Sequence, residues 1–384
     1  MITRNHLASG EKIKIAVTGV RGVPATWGGV EHHCENLYSR LSEMGYDVTI
    51  YARSYYVPEG ITHYKGLTIK RLPTLNFKYS DALLHTFFSV IRIIFTKQDI
   101  VHIHGIGPCF FSWIPRVFRP RMKVFFTCHG LDWQRKKWPK WASMLIYLGE
   151  LSAILFAQYR VVVSQELQKY FAAKHGIKTC YIPNGIKPIP AREPDRIKLQ
   201  WDLSSRRYFL CVGRLVPEKR MEDVIVAYLL KPRNCRLVIV GDNAAAGQYM
   251  NDLISLAGKS PAVIFTGYQF GAVLEELLSN ARAFFTASEL EGLPITLLEA
   301  LSFGVICATS DIGPHQEVTN TLPGLSFPVG DIQAISNCMD RVEAMTDSEL
   351  DGFKREAVAL VTRHFSWDAV CGEHDRLYRE SLGK

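Results

Sequence analysis

Two series of short apolar strand segments, each interleaved with helical segments, constrain the fold of this chain more than any other property. In the first series, residues 12–19 (KIKIAVTG), 47–51 (DVTIY), 99–104 (DIVHIH), 123–128 and 159–164 (YRVVVS) are apolar in runs, not at alternate positions. Strands of that kind bury both faces, as in a parallel sheet covered by helices. Residues 31–44, 83–95 and 141–157 supply the helical segments; Leu37 and Leu41 share a stripe in the first, and Gly45 ends it. The pattern restarts with strands at 208–212 (YFLCV), 236–240 (RLVIV), 263–266, 283–286 and 305–308 and a helix at 222–230. Between the series, residues 187–196 (KPIPAREPDR) are proline-rich and charged and read as a linker. The expectation is two doubly wound α/β domains, with ligand sites at the carboxyl ends of their strands and in the cleft between them.

Length and composition agree, since 384 residues suit two domains. Lys and Arg number 45 against 37 Asp and Glu, a net charge of +8 that suits an anionic ligand or membrane surface without demanding nucleic acid. The nine cysteines include no C-x-x-C pair, and Cys128, Cys211 and Cys307 lie in apolar runs, as free thiols of a cytoplasmic protein do. Residues 1–12 are polar, unlike a signal peptide, and Glu150 interrupts the longest apolar stretch at 141–157.

Four segments carry candidate chemistry. In residues 288–311 (SELEGLPITLLEALSFGVICATSD), Pro294 is placed for the first turn of a helix, Glu291 precedes it and Glu299 lies inside it. The two carboxylates can touch different parts of one extended ligand, while the helix start between them, at Gly292, Leu293, Pro294 and Ile295, forms an anion site. The alternative is a capped helix whose Glu299 pairs with a neighbouring Arg. In residues 212–220 (VGRLVPEKR), Arg214 and Lys219 follow a strand, a planar fork and a mobile point charge suited to a diphosphate, or two solvated surface cations. In residues 21–31 (RGVPATWGGVE), Gly28 and Gly29 permit close approach of backbone to a phosphate or sugar, or merely serve the loop. In TCHGLDW, His129 ends a strand, where an imidazole can bond a sugar hydroxyl, act as acid or base, or be structural.

No metal site is expected. His32, His33, Cys34 and Glu35 are consecutive and point around a helix, and His102 and His104 share a strand face without further ligands. The sequence contains no D-x-D. Residues 133–141 (WQRKKWPKW) combine four cations with three tryptophans, a mixture that suits an anionic membrane surface, an acceptor groove or a loop folded over the first domain.

Taken together, these segments resemble the retaining GT-B glycosyltransferases of the GT4 family over nearly the whole chain. The E-x7-E pair matches Glu291 and Glu299; the Gly-Gly loop matches Gly28 and Gly29; G-R-L-x-P-E-K matches 213–219; P-N-G-I matches 183–186. HGLDWQRKKW resembles a bacterial rhamnosyltransferase-like subset acting in surface polysaccharide synthesis. The resemblance implies an acceptor-side domain at 1–186, a nucleotide-sugar domain at 187–364 and a helix at 365–384 crossing back to the first. It implies a nucleotide-sugar donor, a sugar or lipid-linked sugar acceptor, no metal cofactor, no nucleic acid, and a cytoplasmic protein peripheral to the membrane. By the same resemblance Arg214 and Lys219 hold the diphosphate with the amides of 292–295, Gly29 closes from the other domain, and Glu299 binds the ribose. Glu291 contacts the donor sugar, His129 lies near its reactive face, and backbone near Tyr268 faces the base. The chain departs from the family at Ile306, usually Pro, and at Arg220, usually Gly, where the extra cation is expected near the diphosphate. A sugar-nucleotide epimerase on the same fold and a non-catalytic nucleotide-sugar binder stay open as alternatives.

Overall fold

A computed structural model describes residues 12–26, 28–74, 81–135, 138–242, 247–258 and 260–384. The polar start of the chain at 1–11, Trp27 of the Gly-Gly loop and Lys136 and Lys137 of the Trp/Lys patch lie outside the described residues.

The chain forms two units: Met1–Val163, Leu167–Ile182 and Val370–Lys384 make the first, Ser164–Glu166 and Pro183–Ala369 the second. The main segment of the second runs from Pro183, whereas the resemblance placed the boundary between 186 and 187. Ile186 already belongs to it, donating its N–H to the carbonyl of Phe365 at 2.7 Å. Gly185 lies against the ring of Trp367, where a Cβ would stand 2.5 Å from the indole.

The first unit holds strands β1 (Lys14–Thr18), β2 (Asp47–Arg53), β3 (His63–Tyr64), β4 (Leu67–Leu72), β5 (Ile100–His104), β6 (Lys123–Cys128), β7 (Tyr159–Val162) and β8 (Cys180–Tyr181). Their order is β3-β4-β2-β1-β5-β6-β7-β8, all parallel except the short antiparallel edge strand β3. Helices α1 (Gly29–Glu43), α2 (Asp81–Ile94), α3 (Trp113–Phe118), α4 (Lys140–Phe156) and α5 (Gln165–His175) connect the strands. The apolar runs bury as expected: Ile15, Ala16 and Val17 of β1 and Ile100, Val101 and Ile103 of β5 are inaccessible.

The second unit holds β9 (Tyr208–Val212), β10 (Arg236–Val240), β11 (Val263–Gly267), β12 (Ala283–Thr286), β13 (Ile306–Ser310) and β14 (Leu325–Phe327), in the order β11-β10-β9-β12-β13-β14, with every described pairing parallel. Its helices are α6 (Asp195–Trp201), α7 (Met221–Leu229), α8 (Gly247–Ala257), α9 (Gly271–Asn280), α10 (Ile295–Ser302), α11 (Gly313–Thr319), α12 (Ile332–Ala344) and α13 (Asp347–His364); α14 (Trp367–Ser381) starts here and continues into the first unit. A capping box starts α13: Thr346 accepts from the Glu349 N–H, and Glu349 accepts from that of Thr346.

Each sheet has one place where neighbouring strands lead away in opposite directions, between β1 and β5 in the first and between β9 and β12 in the second. The crevice outside the carboxyl ends of such a strand pair is where doubly wound sheets bind ligands. All nine cysteines are unpaired and eight are buried; burial pushes the Cys211 thiol up to about 12.

Candidate functional site

In the second unit, the loop after β9 carries Arg214 and Lys219, and the loop after β12 carries Glu291. Both loops leave the carboxyl edge at the switch point. There the Lys219 ammonium pairs with the Glu291 carboxylate. Ser288 Oγ donates to the same carboxylate oxygen at 2.9 Å. Burial by itself raises the Glu291 carboxyl, but the Lys219 charge, His315 and these hydrogen bonds outweigh it and hold the group at about 2. The pair is therefore ionic at neutral pH. Gly213 lies in van der Waals contact range of the Lys219 side chain, 3.5 Å from a Cβ position to Cε. Arg214 is exposed at the end of β9. Tyr268 is exposed on the loop after β11, its ring 6.0 Å from that of Phe270.

Pro294 occupies the N-cap of α10 in extended backbone, one place before the first turn expected for it. Its carbonyl accepts from Leu297 and Leu298 at 3.2 and 3.3 Å, so the N–H groups of Ile295 and Thr296 have no partner within the helix and form its positive end. Gly292 and Leu293 are buried beside it. The Leu293 carbonyl accepts from Asn184 Nδ2 at 2.8 Å, so the P-N-G-I turn holds the loop that carries Glu291.

Glu299 is the fifth residue of α10 and sits among buried Leu297, Leu298, Ala300 and Leu301. Its carboxyl forms no ion pair or hydrogen bond among the described residues, so the Arg-paired helix considered above does not form. Burial alone raises this group to about 7. A carboxylate short of partners in this way can accept hydrogen bonds from a ligand.

Arg220, the extra cation of this segment, is held by acidic partners. Its guanidinium binds both oxygens of Asp223, at 2.5 and 3.2 Å, and lies 3.5 Å from Glu289. Its backbone has φ of 48°, in the left-handed region that favours glycine, the residue the family resemblance led one to expect there.

Sequence reasoning missed His315 and Ser288. His315 lies near the start of α11, fully buried, with Nδ1 3.0 Å from Ser310 Oγ and Nε2 without a partner. Burial lowers the imidazole to about 4 despite the nearby Glu291 charge, so it is a neutral wall of the pair's pocket. A buried His just after a strand, in SDIGPH, was the signal available.

In the first unit, Gly29 begins α1, and the preceding Gly28 has φ of 101° with the Glu31 carboxylate filling the space a Cβ would need. Glu31 accepts from the Arg21 N–H at 3.2 Å and Glu35 from the Ala25 N–H at 2.7 Å, so α1 pins both ends of the described Gly/Pro loop. His129 Nε2 lies 2.9 Å from His104 Nδ1, and His104 Nε2 lies 2.7 Å from the Tyr38 hydroxyl. Burial lowers His129 to about 4 against the pull of Asp132, so His129 is a neutral hydrogen-bonding imidazole at pH 7. His33 joins them: the consecutive residues 32–35 point around α1, and of these His33 meets histidines from elsewhere in the chain. Nitrogens of His33, His104 and His129 lie within 4.8 Å of one another, a set that could hold a metal ion. The facing nitrogens of His104 and His129 are within hydrogen-bond distance of one another. His102, expected to be structural, bonds Tyr378 and Thr127 at 2.6 and 2.7 Å.

Residues 193–356 match the family of group 1 glycosyl transferases, and residues 27–188 match glycosyltransferase family 4. The chain belongs to the GT4 family. The lipopolysaccharide 1,6-galactosyltransferase of Salmonella typhimurium is 28% identical over 218 residues, covering 53% of this chain and 57% of that protein. The GDP-mannose-dependent alpha-mannosyltransferase of Mycobacterium tuberculosis is 28% identical over 189 residues, covering 48% of this chain and 46% of that protein. The chain thus spans about half the length of these two curated relatives. Among solved structures, the sucrose-phosphate synthase of Thermosynechococcus elongatus superposes with a TM-score of 0.83 at 19% identity, over 97% of this GT4 chain and 100% of that one. Anabaena HepE in complex with UDP and glucose gives 0.79 at 16%, over 96% and 100%. These likenesses show the GT-B fold.

Proposed function

We propose that this protein is a retaining glycosyltransferase that moves a sugar from a nucleoside diphosphate to a hydroxyl of a lipid-linked saccharide in surface polysaccharide synthesis. The observation that carries the reading is the Lys219–Glu291 ion pair beside the amide end of α10, at the switch point of the second sheet. An ammonium has three donors, so Lys219 can hold Glu291 with one and present the others to an anion. Arg214 and the Ile295 and Thr296 amides complete a cationic surface for a departing diphosphate, the charge that develops in the transition state. On this reading no metal is needed there, in keeping with the lack of D-x-D. Glu299 accepts from the ribose hydroxyls, Glu291 from a hydroxyl of the donor sugar, and Tyr268 lies towards the base. In the first unit, His129, neutral and hydrogen-bonded to His104, is suited to bond a sugar hydroxyl, and Gly29 leaves backbone open to a sugar or phosphate. The bond from the anomeric carbon to the diphosphate breaks, the acceptor oxygen bonds that carbon on the same face, and its proton passes to the leaving phosphate.

The relatives named above act on lipopolysaccharide or use GDP-mannose, and HepE binds UDP; these support a nucleotide-sugar donor and leave its base to experiment. The test is a panel of UDP-, GDP-, dTDP- and ADP-sugars, including a rhamnosyl donor, incubated with the protein in EDTA while nucleoside diphosphate release is followed. One donor should turn over, and Glu291→Ala should lower the rate by about 10²-fold or more. Near-normal turnover in that variant removes Glu291 from the mechanism. An altered sugar nucleotide formed without acceptor would favour an epimerase, and donor binding without turnover on any acceptor a non-catalytic binder.

A further inference from the structure

The first unit leaves an apolar face uncovered on three adjacent helices. On α4, Trp141, Met144, Leu148 and Leu155 are exposed, with Leu151 partly so. At 100° per residue these five fall within an arc of roughly 80°, along the whole length of the helix. On α2 and just beyond it, Phe87, Phe88 and Phe95 point out in the same way, Phe95 being 81% exposed. On α3, Trp113, Val117 and Phe118 do so. α3 packs against both α2 and α4. Arg119, at the end of α3, donates to the carbonyls of Ile94 and Thr96 at 2.7 and 3.1 Å, which brings Phe95 and Phe118 to one edge. Scattered exposed apolar residues need no explanation; a continuous set of this size marks a contact surface.

The charge around this face identifies the partner. Residues 81–156, from the start of α2 to the end of α4, hold ten Lys and Arg against four Asp and Glu, whereas the whole chain holds 45 against 37. Six of the eight net positive charges therefore lie in one fifth of the sequence. The four acids do not cancel them outwardly. Asp81 is buried and pairs with Arg53. Glu150 is fully buried and accepts from Trp133, Tyr170, Lys174 and His175. Asp132 pairs with Arg135 at 2.8 Å, and Asp99 accepts from the Lys14 N–H. Arg92, Lys97, Arg121 and Lys140 are exposed around the helices. A second copy of the chain would bring the same positive excess against this face. An anionic bilayer supplies both halves of the complement, acyl chains for the apolar stripe and acidic headgroups for the cations, with Trp113 and Trp141 suited to the boundary.

We infer that the α2–α3–α4 face docks on an anionic membrane surface. It lies on the interface plane and does not span the membrane, for among the described residues no helix is long and apolar enough to cross one. The surface differs from the 133–141 patch named from the sequence: Trp133 donates to the buried Glu150 and Arg135 pairs locally with Asp132, whereas the exposed Lys140 and Trp141 belong to α4. The inference deepens the reading of a lipid-linked acceptor, because docking would bring the protein to the plane in which that acceptor lies.

The experiment is flotation of the full chain, without donor or acceptor, on vesicles of phosphatidylcholine and phosphatidylglycerol in equal parts and on phosphatidylcholine alone. The chain should float with the anionic vesicles and weaken as salt rises. Met144→Glu with Leu148→Glu, and separately Phe95→Glu, should each lower the bound fraction about tenfold; these side chains are exposed, so the thermal unfolding profile should stay that of the wild type. Absence of flotation at low ionic strength overturns the inference, as does undiminished binding by both variants. A dimer in sedimentation that Leu148→Glu splits also overturns it, by assigning the face to a second copy. None of these outcomes bears on donor turnover, so failure here is distinguishable from failure of the glycosyltransferase reading.

Discussion

Glu299→Gln should make the ligand-free protein more stable at pH 8 and little different at pH 5. The carboxyl has an ordinary value of 4.5, which burial among leucines raises to about 7. In the unfolded chain it ionises near the ordinary value. Between the two values the native state holds a proton that the unfolded chain has released, and above 7 the native state must carry the charge on a half-buried carboxylate. Stability from the protonated group is therefore present at low pH and lost as pH rises through about 7. At about 1.4 kcal/mol per pH unit the interval corresponds to about 3 kcal/mol. The neutral amide escapes that cost, so the substitution should raise the melting temperature by up to about 8 °C at pH 8. The same charge would receive ribose hydroxyls, so the variant should also lose donor affinity. In the wild type, donor binding should release close to one proton at pH 6 and almost none at pH 8.5, with Kd tightening up to pH 7 and flat beyond. Thermal unfolding of both proteins at pH 5 and 8, with calorimetric titration in two buffers of different ionisation enthalpy, reads all of this. An equal shift at both pH values, or none at pH 8, would refute the buried-charge argument.

Three further outcomes follow from particular contacts. Asn184→Ala removes the support of the Leu293 carbonyl; it should cost about 1–3 kcal/mol and raise the donor Kd about three- to tenfold, read by thermal unfolding and calorimetry. Arg220→Gly relieves a left-handed backbone and breaks a partly exposed pair with Asp223, effects of about 1 kcal/mol or less that oppose each other; donor Kd should stay within about twofold, and a tenfold loss would return Arg220 to the donor site. Gly19→Ala places a Cβ 2.2 Å from the His104 carbonyl at φ of 88°; it should destabilise by on the order of 2–4 kcal/mol, and an unchanged melting temperature would show that the strand ends can separate freely.

The parallel sheets and the strand ends that carry charge were legible because they rest on local rules. Apolar runs such as YFLCV and RLVIV can be buried only on both faces, and a strand end followed by Gly213, or a proline ahead of an apolar helix, marks a ligand-facing edge wherever it occurs. The partners of individual side chains were not legible, because they come from residues far apart in the chain. Lys219 and Glu291 meet across 72 positions, and Asn184 reaches Leu293 across 109. His33 on α1 looked isolated within its own run until β5 and the loop after β6 brought His104 and His129 beside it. Glu150 read as an interruption in an apolar helix; the fold makes it a fully buried acceptor for four donors, which pulls Trp133 inward and leaves the outward stripe of α4 uncovered. By itself the sequence determined which elements form and which strand ends carry charge, since hydrophobic period and backbone chemistry act over a few residues. Only the tertiary structure decided which charges are paired, which carboxyl is left without a partner and which apolar face stays open, since those depend on what the packed chain places within a few ångströms.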